Sequence, residues 1–352
     1  MNDHELIQKT FELARKGRGN TWPNPLVGAV IVKNDKIIGM GYHHQQGQDH
    51  AEIDALKNCS ESPEGSTIYV NLEPCCHTNK TTPPCAQRLV AEKIKKVVIC
   101  NLDPNPSVNG EGVKLLEASG VEVVHGVLKE EGEVLNEAFF LAQRQKRPFI
   151  NFKAASTLDG KMALPNGESQ WITGELARKH VHEMRSLHQG IIVGGGTVRK
   201  DNPKLTVRLP DYKGKQPWRI VLTKSGDLPQ ESHLFTDQYK DRTLVYSETE
   251  LNFDFPYIKI ASLTEVMNDL FQKKIMNLML EGGPKLATEL LKEKLIDRVS
   301  LYQNPSFMGQ GQSILGDLSL TSLNLRPKLT QIESKWIGED HFLTGRIICS
   351  QD

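Results

Sequence analysis

Short apolar runs alternate with amphipathic stretches along this chain. Residues 6–15 read as a helix, and 27–32 and 36–42 read as strands. From His50 onward, Ile53 and Leu56 are spaced to face a core, which predicts the first turns of an amphipathic helix, and 67–72 reads as a buried strand. Pro74 ends that extended segment and leaves Cys75 at its C-terminal edge, and Pro84-Cys85 opens a second helix over 86–93. Strands are expected at 97–101 and 121–124 with a helix at 112–119 between them. A charged helix over 130–145 stops at Lys146-Arg147-Pro148, and a new strand begins at Phe149. This alternation predicts an α/β three-layer first domain, with a boundary that separates residues 1–147 from 148–352.

Beyond that boundary two apolar runs break into glycines. One is the strand from Gly190 that ends in Gly194-Gly195-Gly196-Thr197. The other begins at Asn277 and ends in Glu281-Gly282-Gly283-Pro284, ahead of a helix over 285–291. Strand, glycines, then helix is the pattern of a phosphate cradle. Glycines let the backbone approach an anion, proline suits the first helical position, and the helix start offers unpaired N–H groups. Neither run is a G-x-G-x-x-G fingerprint, and each taken alone is also ordinary turn chemistry.

At 352 residues the chain has room for two domains. Net charge is zero, with 17 basic and 19 acidic residues up to Arg147 and 26 against 24 after it. Neither half carries the cationic excess that phosphate-backbone binding demands, which argues against a nucleic-acid partner. The six cysteines are not spaced as a disulfide framework, the first residues lack the apolar core of a signal peptide, and no stretch of eighteen apolar residues occurs. A soluble protein of the cytoplasm is expected, with no membrane association. Single-sequence patterns leave a homo-oligomer open.

The candidate chemistry lies between residues 50 and 85. His50-Ala51-Glu52, Pro74-Cys75-Cys76 and Pro84-Cys85 supply one imidazole, two thiolates and a carboxylate that is not a ligand. Three protein ligands on Zn²⁺ leave the fourth tetrahedral position to water, whose pKa falls toward about 7. Glu52, in the same turn as His50, is placed to move protons from that water to a ring nitrogen and a leaving amine. A structural zinc site is the competing reading, but it usually shows paired short C-x₂₋₄-C knuckles, and none occurs here. Cys76 competes with Cys75 as ligand; the Pro-Cys position favours Cys75.

These residues resemble the cytidine deaminase superfamily, with its H-x-E and P-C-x-x-C signature. The wider spacing here, through Cys76, His77, Lys80 and Pro83-Pro84, is similar to the bifunctional riboflavin-biosynthesis deaminase-reductases, although their commonest loop is one residue shorter. Four blocks of the second half extend the resemblance: 155–161, 167–172, 197–208 and 281–288. It implies a cytidine-deaminase-like three-layer domain followed by a dihydrofolate-reductase-like α/β domain. It further implies one Zn²⁺ on His50, Cys75 and Cys85, Glu52 as the catalytic proton carrier, and NADPH as the second cofactor.

By the same resemblance Asn24, His43, His77 and Lys80 would line the pyrimidine and phosphate pocket. Ala155, Trp171, Thr197, Asp201 and the turn Gly283, Pro284, Lys285, Leu286, Ala287 and Thr288 would contact NADPH. Ser169, Arg185, Leu205, Arg208 and Glu281 would contact the substrate, for which paired guanidinium groups suit a ribose phosphate. Lys224 departs from the pattern, since a small hydroxyl residue is more usual at that cofactor position and Ser225 is the nearest substitute. Arg199 and Lys200 are the cations considered for the 2′-phosphate of the cofactor. Two other readings remain: a nucleoside or tRNA deaminase with an unrelated second domain, and a zinc-stabilised scaffold without catalysis.

Overall fold

In the computed structural model, which describes residues 1–76, 84–105 and 108–348, the chain divides into two units, Met1–Lys146 and Arg147–Asp352. Among the described residues the first unit runs α1 (Asp3–Arg15), β1 (Gly28–Lys33), β2 (Lys36–Tyr42), α2 (Ala51–Lys57), β3 (Thr67–Leu72), α3 (Cys85–Ala91), β4 (Lys96–Asn101), α4 (Glu111–Ala118), β5 (Glu122–His125), α5 (Lys129–Leu135) and α6 (Glu137–Gln145). Its sheet has the order β2-β1-β3-β4-β5. β1 is antiparallel to both neighbours, and β3, β4 and β5 run parallel.

Alternation along the strands builds the layers. Ile31, Ile68, Val70, Val97 and Ile99 pack with Ala55 of α2, Leu89 of α3 and Leu116 of α4 on one face. The intervening Val30, Tyr69 and Val98 face Leu6, Ile7 and Phe11 of α1 on the other. α1 begins three residues earlier than its apolar pattern predicts. Asn2 and Glu5 form a reciprocal capping box that satisfies the first free N–H groups.

The helix expected over 130–145 is two helices, α5 and α6, broken at Asn136. Asn136 leaves helical geometry, with φ −114° and ψ 27°. Its side chain accepts from Leu26 N at 2.8 Å and donates to Leu26 O at 2.9 Å. Both backbone groups of Leu26 are thereby paired, which offsets the break in the helix.

The second unit continues with β6 (Phe149–Thr157), β7 (Lys161–Ala163), α7 (Glu175–Leu187), β8 (Gly190–Gly194), α8 (Gly195–Asp201), β9 (Trp218–Thr223), α9 (His233–Thr236), β10 (Thr243–Ser247), β11 (Ile258–Lys259), α10 (Leu263–Gln272), β12 (Asn277–Leu280), α11 (Pro284–Lys292), β13 (Arg298–Asn304), β14 (Gln312–Ser313), β15 (Lys328–Ile337) and β16 (Asp340–Ile348). The main sheet orders β11-β10-β9-β8-β12-β6-β13-β16-β15. It is parallel from β11 to β13 and ends in the antiparallel β16 and β15.

Ile150, Ile192, Ile220 and Leu278 pack against α10 and α11 on one face. Ile191, Val193 and Val221 face α8 and α9, and Met279 faces α7, on the other. Arg147 is anchored in this unit by a two-pronged ion pair with Asp297, at 2.7 and 2.9 Å. β12 is inserted between β8 and β6, so the strand order reverses there. A crevice at the carboxyl ends of the strands is the geometric consequence. No helix among the described residues is long and apolar enough to cross a membrane.

Candidate metal centre and cofactor cleft

Three elements bring the proposed ligands together. His50 is the N-cap of α2, Cys75 follows β3 by three residues, and Cys85 opens α3. His50 Nδ1 lies 3.6 Å from Cys75 Sγ and 3.3 Å from Cys85 Sγ, and the three donor atoms all lie within 4.8 Å of one another. Tetrahedral Zn²⁺ with bonds of about 2.0–2.3 Å holds such atoms about 3.6–3.8 Å apart, so the donor set and its spacing fit the ion. The Cys85 backbone N–H donates to Cys75 Sγ at 3.4 Å.

The two thiols shift in opposite directions. A hydrogen bond from the Cys85 thiol is the largest influence on Cys75; with His50 and the Cys85 N–H it outweighs burial and brings Cys75 down to about 3. The same shared bond holds Cys85 well above its usual value. A divalent cation between the sulfurs would take the place of the thiol proton in that bond. Glu52 is buried beside them, 3% exposed. Burial pushes its carboxyl up, partly countered by the charge of His50.

Two further predicted residues join this site. His43 is buried; its Nδ1 faces Asp49 O at 2.9 Å, and its Nε2 lies 3.0 Å from Asn24 Nδ2. With Nδ1 donating to the carbonyl, Nε2 accepts from the Asn24 amide. The His43 ring meets His50 edge-on at 5.5 Å between centroids. His77 and Lys80 lie outside the described residues.

In the second unit a cleft of about 1120 Å³ opens where the strand order reverses. Ser169, Thr197, Asp201, Glu281, Gly283, Pro284, Lys285 and Leu286 line it, together with Lys224 and Ser225. A Cβ built on Gly196 would meet nothing within 4 Å, and one on Gly283 would meet only Thr197 Oγ1 at 4.0 Å. Side chains there would occupy the cleft itself, so the two glycine turns leave the space a pyrophosphate needs. α11 starts directly after the second turn, with Gly283 as its N-cap and Pro284 in its first turn.

Ala287 and Thr288 are not brought to the cleft. Ala287 is fully buried among the core residues, and Thr288 Oγ1 is engaged with Pro284 O at 2.6 Å and Gly316 N at 2.7 Å. Trp171 is 69% exposed, with the Arg178 guanidinium 4.7 Å above its ring, and Ala155 on β6 packs near Tyr302 on β13.

The predicted substrate residues converge through a charged cluster. Arg185 of α7 grips Glu281 by two hydrogen bonds, at 2.6 and 2.8 Å, and donates to Thr206 O at 3.0 Å. Leu205, buried with a left-handed φ of 51°, turns the chain that presents that carbonyl. The Arg208 N–H donates to His182 Nδ1 at 3.2 Å. Burial pushes Glu281 up, but Arg185, with Lys153 and His182 adding to it, pulls the carboxyl down to about 2.

Lys153 and His182 are residues that sequence reasoning missed. Lys153 was detectable as a lone cation in an otherwise apolar strand; desolvation lowers its pKa, with Glu281 opposing. His182 carried no sequence signal, because its partners come from a loop some 25 residues on.

Residues 148–343 match the family described as the RibD C-terminal domain, and residues 1–101 match the cytidine and deoxycytidylate deaminase zinc-binding region. The riboflavin biosynthesis protein RibD of Aquifex aeolicus is 40% identical over 346 residues, covering 96% of each chain. The chain belongs to the RibD family. Among solved structures, Acinetobacter baumannii RibD superposes with a TM-score of 0.89 at 35% identity, covering 98% of this chain and 99% of that one. The diaminohydroxyphosphoribosylaminopyrimidine deaminase/5-amino-6-(5-phosphoribosylamino)uracil reductase of Thermotoga maritima gives 0.87 at 36%, with the same coverage. The fold is a deaminase-like unit followed by a RibD-type reductase unit, both α/β with mixed sheets. As a RibD enzyme this chain is bifunctional and zinc-dependent, and carries out a deamination and an NADPH-dependent reduction, two consecutive steps of riboflavin biosynthesis.

Proposed function

We propose that residues 1–147 convert 2,5-diamino-6-(5-phosphoribosylamino)pyrimidin-4(3H)-one and water to 5-amino-6-(5-phosphoribosylamino)uracil and ammonia, and that residues 148–352 reduce the ribosyl group of that product to ribityl. The observation that carries this reading is the His50, Cys75 and Cys85 donor set at tetrahedral spacing with the buried Glu52 beside it. Zn²⁺ held by these three residues supplies the Lewis acidity that makes a water nucleophilic at neutral pH. Glu52 takes the proton from that water and delivers protons to the ring nitrogen and the departing amine. Asn24 and His43, locked to each other, orient the pyrimidine, and His77 and Lys80 are the candidates for its phosphate.

NADPH held in the second unit would supply the hydride for C1 of the ribosyl group. Thr197, Asp201 and the turn from Gly283 to Leu286 hold the cofactor in the cleft, with Ala155, Trp171, Ala287 and Thr288 as the remaining family positions. Ser169, Leu205, Arg208 and the Arg185–Glu281 pair orient the substrate. Lys153, whose pKa burial lowers against the opposing pull of Glu281, is a candidate for moving the proton that ring opening requires. In this reading the chain acts in the cytoplasm on a small phosphoribosyl-aminopyrimidine, and its balanced charge gives no basis for a nucleic-acid partner.

Glu52→Gln tests the first half. It should retain about one zinc per chain by metal analysis while ammonia release falls by about 10²–10⁴. A variant that still deaminates at the wild-type rate would remove Glu52 from its role.

A further inference from the structure

Between α8 and β9 the chain carries Leu205 and Arg208 through a segment with neither helix nor strand. Leu205, Thr206 and Val207 are nonetheless buried. Buried backbone groups outside regular structure need partners from elsewhere, and here side chains provide them. Arg185 of α7 donates to Thr206 O at 3.0 Å, and His182 Nδ1, also on α7, accepts from Arg208 N at 3.2 Å. Between those two contacts the Gln216 amide takes both groups of Val207: Oε1 accepts from Val207 N at 2.7 Å, and Nε2 donates to Val207 O at 3.1 Å. A primary amide offers an acceptor and a donor side by side, so it replaces the strand partner that this segment lacks.

Two consecutive peptide groups, Thr206–Val207 and Val207–Arg208, are thus each held from both edges, by α7 on one side and by Gln216 on the other. Gln216 is itself fixed. It lies two residues before Trp218, the first residue of β9, whose N–H donates to Gln189 O at 2.8 Å, and the intervening Pro217 is buried. On its other side the Tyr212 hydroxyl donates to Lys215 O at 2.9 Å. The clasp therefore ties the strap to the parallel sheet. Gln216 does not line the cofactor cleft.

We propose that Gln216 is a positioning residue for the reduction: by fixing the two peptides around Val207 it sets the direction from which Arg208 meets the phosphoribosyl substrate. The inference rests on the reading of Leu205 and Arg208 as substrate contacts.

Steady-state NADPH oxidation by the full-length enzyme, supplied directly with 5-amino-6-(5-phosphoribosylamino)uracil, reads the two affinities separately. Gln216→Met keeps the length and bulk of the side chain but leaves Val207 N and O buried and unpaired. KM for the aminouracil should rise about tenfold or more while KM for NADPH changes by no more than about twofold. Gln216→Glu, whose carboxylate still accepts from Val207 N but opposes Val207 O, should raise the same KM. In an Arg208→Ala background Gln216→Met should add no more than about twofold, because the clasp acts through Arg208. An unchanged aminouracil KM in Gln216→Met beside a raised one in Arg208→Ala would overturn the role of Gln216 alone. A parallel rise of both KM values would do the same, since it marks general support of the unit. An unchanged aminouracil KM in Arg208→Ala would overturn the strap as a substrate contact, and the inference with it.

Discussion

Glu281 organises the reductase cluster through a single carboxylate. Burial alone would raise it, yet the Arg185 fork, Lys153 and His182 bring it down to about 2. His182 is shifted by the same surroundings: burial first, then Arg185 and Arg208, bring its imidazole down from 6.5 to about 4. Both groups have a folded pKa below the unfolded one, so the unfolded chain binds more protons as pH falls. The contribution of His182 is complete above pH 6.5 and lost between 6.5 and about 4, and that of Glu281 is lost between 4.5 and about 2. The urea midpoint, followed by tryptophan fluorescence, should therefore fall from pH 7 to 4 in the wild type and fall less in His182→Gln. Three of the four tryptophans, Trp171, Trp218 and Trp336, report from this unit. Equal slopes in the two proteins would contradict the assignment to His182.

At the scale of elements, the metal site hangs on the end of β3. The Glu73 carboxylate, buried two residues before Cys75, accepts the backbone N–H groups of Asp103, Gly110, Gly112 and Val113 at 2.9–3.2 Å. α4 packs so closely that a Cβ on Gly112 would lie 2.3 Å from Pro74 O. Glu73→Gln turns an N–H₂ toward groups that already donate. It should cost about 1–3 kcal/mol in denaturant stability and speed zinc loss to a chelator. Wild-type values for both would show that this clamp does not hold the ligand strand.

The ligands themselves were legible in the sequence because metal chemistry demands particular residue types at helix and strand ends, and the glycine turns because an apolar strand that breaks into glycines ahead of a helix is a local pattern. The break at Asn136 was not, since its cause is Leu26, 110 residues upstream. The sequence also offered Arg185 and Glu281 as separate substrate contacts, whereas in the fold each consumes much of the other's hydrogen-bonding capacity. Ala287 and Thr288 belong to the family turn, but helix phase directs both side chains inward.

For the whole molecule, the two units carry separable chemistries in the order in which a pathway would use them, and the similarity to RibD proteins runs along nearly the full chain. Their separation has a direct test on the purified full-length enzyme, with ammonia and NADPH oxidation followed independently. Supplied with the diaminopyrimidinone ribosyl phosphate, zinc-loaded protein should release ammonia first and then oxidise NADPH. After zinc removal by a chelator both signals should vanish, and adding the deaminated product should restore NADPH oxidation alone. NADPH oxidation that precedes ammonia release, or that still requires zinc when the deaminated product is supplied, would contradict the account.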